Sequence, residues 1–204
     1  MKLDGTELVG LLIATSFAAG LNAYATVATL GLLAHGGILS LPPGLQLLSS
    51  WWVIGASTVL FSIEFFADKI PAFDLLWNAA HTFVRVPVAA LIAYRATSQL
   101  SPEKQLLATL VGGAIALAAH GGKTAARASI TPSPEPVSNI SLSMGEDVVA
   151  IFLVWFASQH PVVASVIVLI LVAMIVVVIR WVVRALQSLF RGAGREAADL
   201  QART

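Results

Sequence analysis

The chain has 204 residues, 57% of them hydrophobic and only 11% charged, with a mean hydropathy of +0.85. That balance excludes an ordinary soluble domain and points to a polytopic helical membrane protein. A formal net charge of +1 removes any bulk-charge case for nucleic-acid binding, and zero cysteines exclude disulfides, thiol catalysis and thiolate metal sites.

The N-terminal stretch has the outline of a signal peptide, with Lys2 ahead of an apolar run ending Ser16-Phe17-Ala18-Ala19-Gly20. Asp4 and Glu7 interrupt the positive region, and apolar character continues to Ala34, so the stretch reads as a retained span. This first segment covers about Glu7 to Ala34. After Pro42, Pro43 and Gly44, Ser49 or Ser50 can cap a second segment from Trp51 to about Ala67. Pro71 breaks the chain. A third segment follows from about Phe73 to Thr97, with Pro87 as an expected kink. Ser101-Pro102-Glu103 is a helix-start signal for a fourth, reaching about Ser129. Thr131 to Asn139 holds three prolines in nine residues and reads as a loop or re-entrant turn. The fifth segment runs from about Ser143 to Gln159. The sixth starts at Pro161, stays apolar to Ile179 and continues as a basic amphipathic helix to about Arg191.

The expected fold is therefore an all-α transmembrane bundle of about six spans. It divides into three-helix halves at 1–100 and 101–190, with a basic cytoplasmic tail at 191–204. Six crossings place both termini on one side, together with Lys2, Lys69, Lys123, Arg127 and arginines 180, 184, 191, 195 and 203. Only Arg95 and Lys104 fall on the other side. Cytoplasmic loops carry the excess of basic residues, so both termini are expected in the cytoplasm of a bacterial inner membrane. Trp51 and Trp52 then anchor the outer interface.

The halves resemble each other weakly. Gly20, Asn22, Tyr24 and Thr26 interrupt segment one, and His120 to Ser129 places polar groups near the inner end of segment four. Segments two and five both close near a proline, at IEFFADKIP and FLVWFASQHP. With an odd number of spans in each half, a 3+3 inverted repeat with interrupted helices is the expectation.

GLNAYAT, EFFADKIP followed by HTFVR, AHGGKTAAR, and SPEPVSN followed by Glu146-Asp147 occur in that order. This set resembles the bacterial membrane family catalogued as domain of unknown function 4126, over about residues 8–165. The resemblance implies a small multi-span inner-membrane protein without an assigned activity, and it brings no site residues with it. A looser likeness is to cation exporters whose repeated motif reads Glu-x-Gly-Asp-Lys-Thr. Glu64-Phe65-Phe66-Ala67-Asp68-Lys69 has one residue more and lacks the glycine.

The scarce charges concentrate. Glu64, Asp68 and Lys69 close segment two, with the two acids four apart on one helical face. Asp74, Asn78, His81 and Arg85 form one polar stripe on segment three, and His120, Lys123 and Arg127 form another on segment four. Glu146 and Asp147 open segment five, where they would favour the positive end of its dipole. Asn22 and Tyr24 are the matching polar groups of segment one. An ionisable group at bilayer depth costs roughly 2.5–3.5 kcal/mol on insertion scales, whereas intramembrane polar contacts return roughly 0.6 kcal/mol each. That comparison favours an ion or solute pathway over helix-tying pairs such as Glu64 with Lys123 or Asp68 with Arg127.

The leading expectation is a small secondary transporter for a cation or small solute, as a monomer or homodimer in the lipid bilayer. His81 and His120 are its candidate proton carriers. A channel, an assembly partner for another membrane protein, and an enzyme holding a lipid phosphate through His81, Arg85, Lys123 and Arg127 are the alternatives. No nucleophile-base set, no metal-ligand pair such as Glu-x-x-His and no cofactor motif appears, so neither an enzyme nor a defined metal site is expected.

Overall fold

A computed structural model describes the backbone of residues 4–130 and 136–201, and the side chains of 4–70, 77–127, 140–184 and 187; among these residues all regular structure is helical. α1 spans Gly5–Leu21 and starts with a capping box: Glu7 N–H donates to Asp4 Oδ1 at 2.7 Å, and Asp4 N–H donates to Glu7 Oε2 at 3.0 Å. α2 spans Ala23–His35. A short 3-10 helix, Pro43–Ser49, leads into α3, Trp51–Ala67, whose first turn is capped by Ser50. α4 (Pro71–Ala96), α5 (Pro102–Ile130), α6 (Pro136–Gln159) and α7 (Pro161–Gln201) each begin on a proline. At that position the ring presets the helical φ, and the missing N–H would have had no helical partner.

Segment one is thus two helices rather than one. Asn22 alone is extended between them, at φ −148° and ψ 106°, and its Oδ1 accepts from Ala25 N–H at 2.9 Å to cap α2. Residues 136–139 of the proline-rich stretch are helical, because α6 already starts at Pro136; residues 131–135 lie outside the described chain. Pro87 sits inside α4, and α7 continues to Gln201.

The side-chain neighbours fix the direction of each helix. Gly5, Leu8 and Val9 at the start of α1 share an apolar cavity of about 350 Å³ with Thr97, Leu100 and Lys104. Gly10 lies against Pro161 at the start of α7, whereas Leu21 at the other end of α1 meets Lys123. α1 therefore descends from the end of the bundle that carries the α4–α5 and α6–α7 turns, here termed the loop end. α2 climbs back. Its Gly31 packs on Leu48 and Ile54, its His35 Nδ1 lies 3.0 Å from the Ser49 carbonyl, and Gly44 in the same 3-10 helix abuts the Arg95 backbone. α1 and α2 are two arms of a hairpin that enters from the loop end, folds at Asn22 and returns.

α3 to α7 then alternate in direction, and Ile175 of α7 packs against Gly122 near the far end. Gly5 and the α7 arginines 180 and 184 consequently lie at opposite ends of the bundle, whereas the six-crossing reading puts both termini on one side. The physical reason is the Asn22 break, which turns one segment into a helical hairpin. α1 also runs parallel to α5, which does not support inverted halves that pair segment one with segment four.

Among the described residues, Pro102–Arg127, Ile140–Gln159 and Pro161–Arg184 are long and apolar enough to cross a membrane; the 3-10 helix and α3, bent by 66°, make a fourth if taken as one broken span. Only 11% of the apolar window of α7 is buried, as befits a helix that shows most of its surface to lipid. α1 is the opposite case, enclosed by α4, α5, α6 and α7. Small residues allow that enclosure: a Cβ on Gly20 would meet Ala119 at 2.7 Å, and one on Gly112 would meet Ala93 at 2.9 Å.

The chain has no native cysteine, so single-cysteine labelling reports the arrangement directly. Gly5→Cys and Ser98→Cys should react with an impermeant maleimide from the same face of sealed vesicles, and Lys69→Cys from the other. Labelling of Gly5→Cys together with Lys69→Cys would restore the six-crossing arrangement.

Candidate functional site

The polar stripes predicted on three helices meet at the end of the bundle opposite the loop end. α4 presents Arg85, which is fully buried. Its Nη2 donates to Glu64 Oε1 of α3, and its Nη1 lies 3.0 Å from Asn78 Oδ1 and 2.9 Å from His120 Nδ1 of α5. A guanidinium has donors only, so His120 Nδ1 accepts and the imidazole carries its proton on Nε2. That Nε2–H donates to Thr82 Oγ1 at 2.7 Å. His81, on the same stripe, donates through Nδ1 to the Trp77 carbonyl at 2.8 Å, and its Nε2 faces the Tyr24 hydroxyl of α2 at 3.2 Å.

A second set lies beside the hairpin tip. Arg127 of α5 donates from Nη2 to Asp68 Oδ2 at 3.0 Å and to Glu146 Oε2 at 2.7 Å. Lys123 Nζ sits 3.3 Å from Asp68 Oδ2, 3.1 Å from Glu146 Oε2 and 3.2 Å from the Leu21 carbonyl. Leu21 ends α1, so the ammonium compensates the negative end of that helix dipole. Asn22 Nδ2 donates to Asp147 Oδ1 of α6 at 2.8 Å, which brings a carboxylate beside the positive end of α2. Asp147 lies twelve residues before Gln159, about 18 Å along the helix from the loop end.

The described charges do not balance. Glu64, Asp68, Glu146 and Asp147 are buried with Arg85, Lys123 and Arg127 as the fixed cations, an excess of one carboxylate. Glu64 Oε2, Asp68 Oδ1 and Asp147 Oδ2 are buried without a hydrogen-bond partner. Glu64, Asp68 and Glu146 each have a cation on their other contacts, whereas Asp147 is held by the neutral Asn22 amide. Leaving a buried carboxylate uncompensated costs several kcal/mol, so Asp147 is the exposed nerve of the arrangement.

Most of the expected site residues converge here: Asn22, Tyr24, Glu64, Asp68, Asn78, His81, Arg85, His120, Lys123, Arg127, Glu146 and Asp147. Lys69 does not. Its ammonium turns back to the Phe65 carbonyl at 2.8 Å and lies 2.8 Å from the Phe65 ring centroid, where the π face attracts it. Asp74 sits in the first turn of α4, and its side chain lies outside the described residues. Glu64 pairs with Arg85 rather than with Lys123, while Asp68 with Arg127 is as expected. Glu146 and Asp147 lie well inside α6, so its N-terminal dipole does not account for them. The cations also face carboxylates rather than an open phosphate pocket.

Three contributors were not anticipated. Thr82 joins His120, the Leu21 carbonyl receives Lys123, and Ser143 is buried with its Oγ unpartnered. Ser143 and Thr82 had a legible signal, since each lies four residues from a named polar residue, Asp147 and Asn78. The carbonyl had none.

In comparison with known proteins, residues 9–181 match the model of a family described as a domain of unknown function (DUF4126). No curated protein and no solved structure matches the chain.

Arg85→Met strands Glu64 as a buried unpaired charge and is expected to cost roughly 3–5 kcal/mol. Adding Glu64→Met to the same chain should recover most of that loss. Thermal unfolding of the detergent-purified variants reads both effects, and a single variant as stable as wild type would refute the pairing.

Proposed function

The chain belongs to the family described as a domain of unknown function (DUF4126), and from that premise we propose that it is a small secondary transporter for a cation or small solute. The observation that carries the reading is the hairpin tip at Asn22, set against a buried cluster that holds, among the described residues, one carboxylate in excess and three unpartnered carboxylate oxygens. Buried acceptors of this kind invite a cation, because an acceptor without a donor forfeits its solvation on burial. Interrupted helices whose half-helix ends bracket such groups are a common way to build a transport site. Here the negative end of α1 and the positive end of α2 both lie at the cluster, among Glu64, Asp68, Lys123, Arg127, Glu146 and Asp147.

In this reading the protein lies in the bacterial inner membrane, with α3 to α7 crossing and the α1–α2 hairpin re-entrant from the outer face. Lys69, Arg180 and Arg184 belong to the charged end and Arg95 and Lys104 to the loop end, so the basic excess sets the charged end in the cytoplasm. The N-terminus is then external and the C-terminus cytoplasmic. Transport would require the hairpin tip to part from α6 and α5, breaking the Asn22–Asp147 and Leu21–Lys123 hydrogen bonds in turn.

Proteoliposomes loaded with a panel of monovalent and divalent cations and small organic cations test the reading. Saturable uptake is expected for one of them, reduced at least about tenfold by Glu64→Gln, which corresponds to about 1.4 kcal/mol of lost stabilisation. Uptake of no panel member, or uptake unaffected by Glu64→Gln, would count against it.

A further inference from the structure

We propose that Asp147 is a proton-binding site, in which the unpartnered Oδ2 takes up a proton from the charged end of the bundle, and that this proton is the coupling ion. The inference deepens the transporter reading and rests on it for the word coupling, although proton binding itself stands on the geometry. Asp147 is 4% exposed, its Oδ1 receives only the Asn22 amide, and its Oδ2 has no partner.

The surroundings single this residue out among the four buried acids of the described residues. Glu64 is tied to Arg85, and Asp68 and Glu146 share Lys123 and Arg127. The charged groups within electrostatic reach of Asp147 are Lys123 from α5, Glu64 and Asp68 from α3, and Lys69 from the α3–α4 turn. Lys123 is already divided between Asp68, Glu146 and the Leu21 carbonyl. Lys69 points to Phe65. From α1–α2 the neutral Asn22 amide reaches it, and Glu146 on α6 itself is engaged with the two α5 cations. A single proton on Asp147 brings the described buried carboxylates and fixed cations into balance. It also turns the orphan oxygen into a donor, on the face of α6 where Ser143, one turn earlier, has its own Oγ unpartnered. A metal ion is served less well: among the described residues no three acidic or histidine side chains converge to cage one.

The proton has a mechanical consequence. Ionised, Asp147 accepts a charge-assisted hydrogen bond from Asn22, roughly twice as strong as a neutral one, and lies against the positive end of α2. Protonated, it keeps only the weaker neutral bond. The charge on Asp147 thus sets how firmly α6 grips the hairpin tip, and uptake of a proton loosens the contact that transport has to break.

Infrared spectroscopy of the purified full-length chain tests the site without any flux. Near neutral pH, where exposed carboxylates are ionised, the wild type should show the C=O stretching band of a protonated carboxylic acid. The band should vanish in Asp147→Asn, survive in Glu146→Gln, and stay unchanged when sodium chloride replaces choline chloride. A wild type without the band overturns the proposal, as does a band that persists in Asp147→Asn. Loss of the band in sodium overturns the proton in favour of a sodium site. Should Asp147→Asn fail to fold, the wild-type band and its response to sodium still decide. A band present without transport removes only the transporter reading; transport without a band removes only the proton site.

Discussion

Four helices meet at one ammonium group. Lys123, on α5, takes the last carbonyl of α1, a carboxylate oxygen of Asp68 at the end of α3 and one of Glu146 on α6. Taking a lysine out of water is costly, and the cost is offset only when good partners surround it. Here the partners come from three separate helices, so the position of each depends on the others. The hairpin tip depends on this contact most directly. An α-helix that stops in the middle of a bundle leaves carbonyls without partners, and in a dry interior such groups have to be satisfied. Lys123 receives one of them, and Asn22 caps the helix that starts again.

The same contact ties the charged cluster to the packing of the helices. Ion pairs between Arg85 and Glu64, and between the two α5 cations and Asp68 and Glu146, knit the helices together and nearly neutralise one another. A purely structural network would be expected to close completely, because a half-satisfied polar network is worse than an apolar core. Among the described residues, this one leaves a carboxylate with no cation in contact and several acceptors with no donor. Asp147, which among the described residues has no cation in contact, lies where the helix is broken and is held there by Asn22.

Much of the site was legible because helical periodicity is local. Asn78, His81 and Arg85 share a face by their spacing alone, as do His120, Lys123 and Arg127, and their rarity in an oily chain marks them out. Partner choice was not legible. Glu64 lies within reach of several cations by depth, and only the crossing of α3 with α4 gives it to Arg85. Lys69 reads as part of the cluster by its place beside Asp68, yet one residue around the helix end is enough to turn its long side chain to Phe65. The break at Asn22 was visible as a weak point, with glycine and asparagine in an apolar run, but not as a reversal. A helix interrupted by one residue can continue, kink or fold back, and the outcome rests on what each arm packs against.

The chain by itself determined the helical class, the apolar surfaces that face lipid, the places where prolines restart helices and the set of polar residues available for a site. These follow from composition, from the period of the helix and from the fixed φ of proline, all of which act over a few residues. Tertiary structure alone decided that α1 and α2 form a hairpin, that Gly5 and the α7 arginines 180 and 184 lie at opposite ends, that Glu64 pairs with Arg85, and that among the described residues Asp147 is the buried carboxylate without a cation in contact. Those outcomes depend on contacts between residues up to 125 positions apart, such as Asn22 with Asp147. No local preference specifies them, because buried charges choose partners by distance in space, and that distance exists only once the helices have packed.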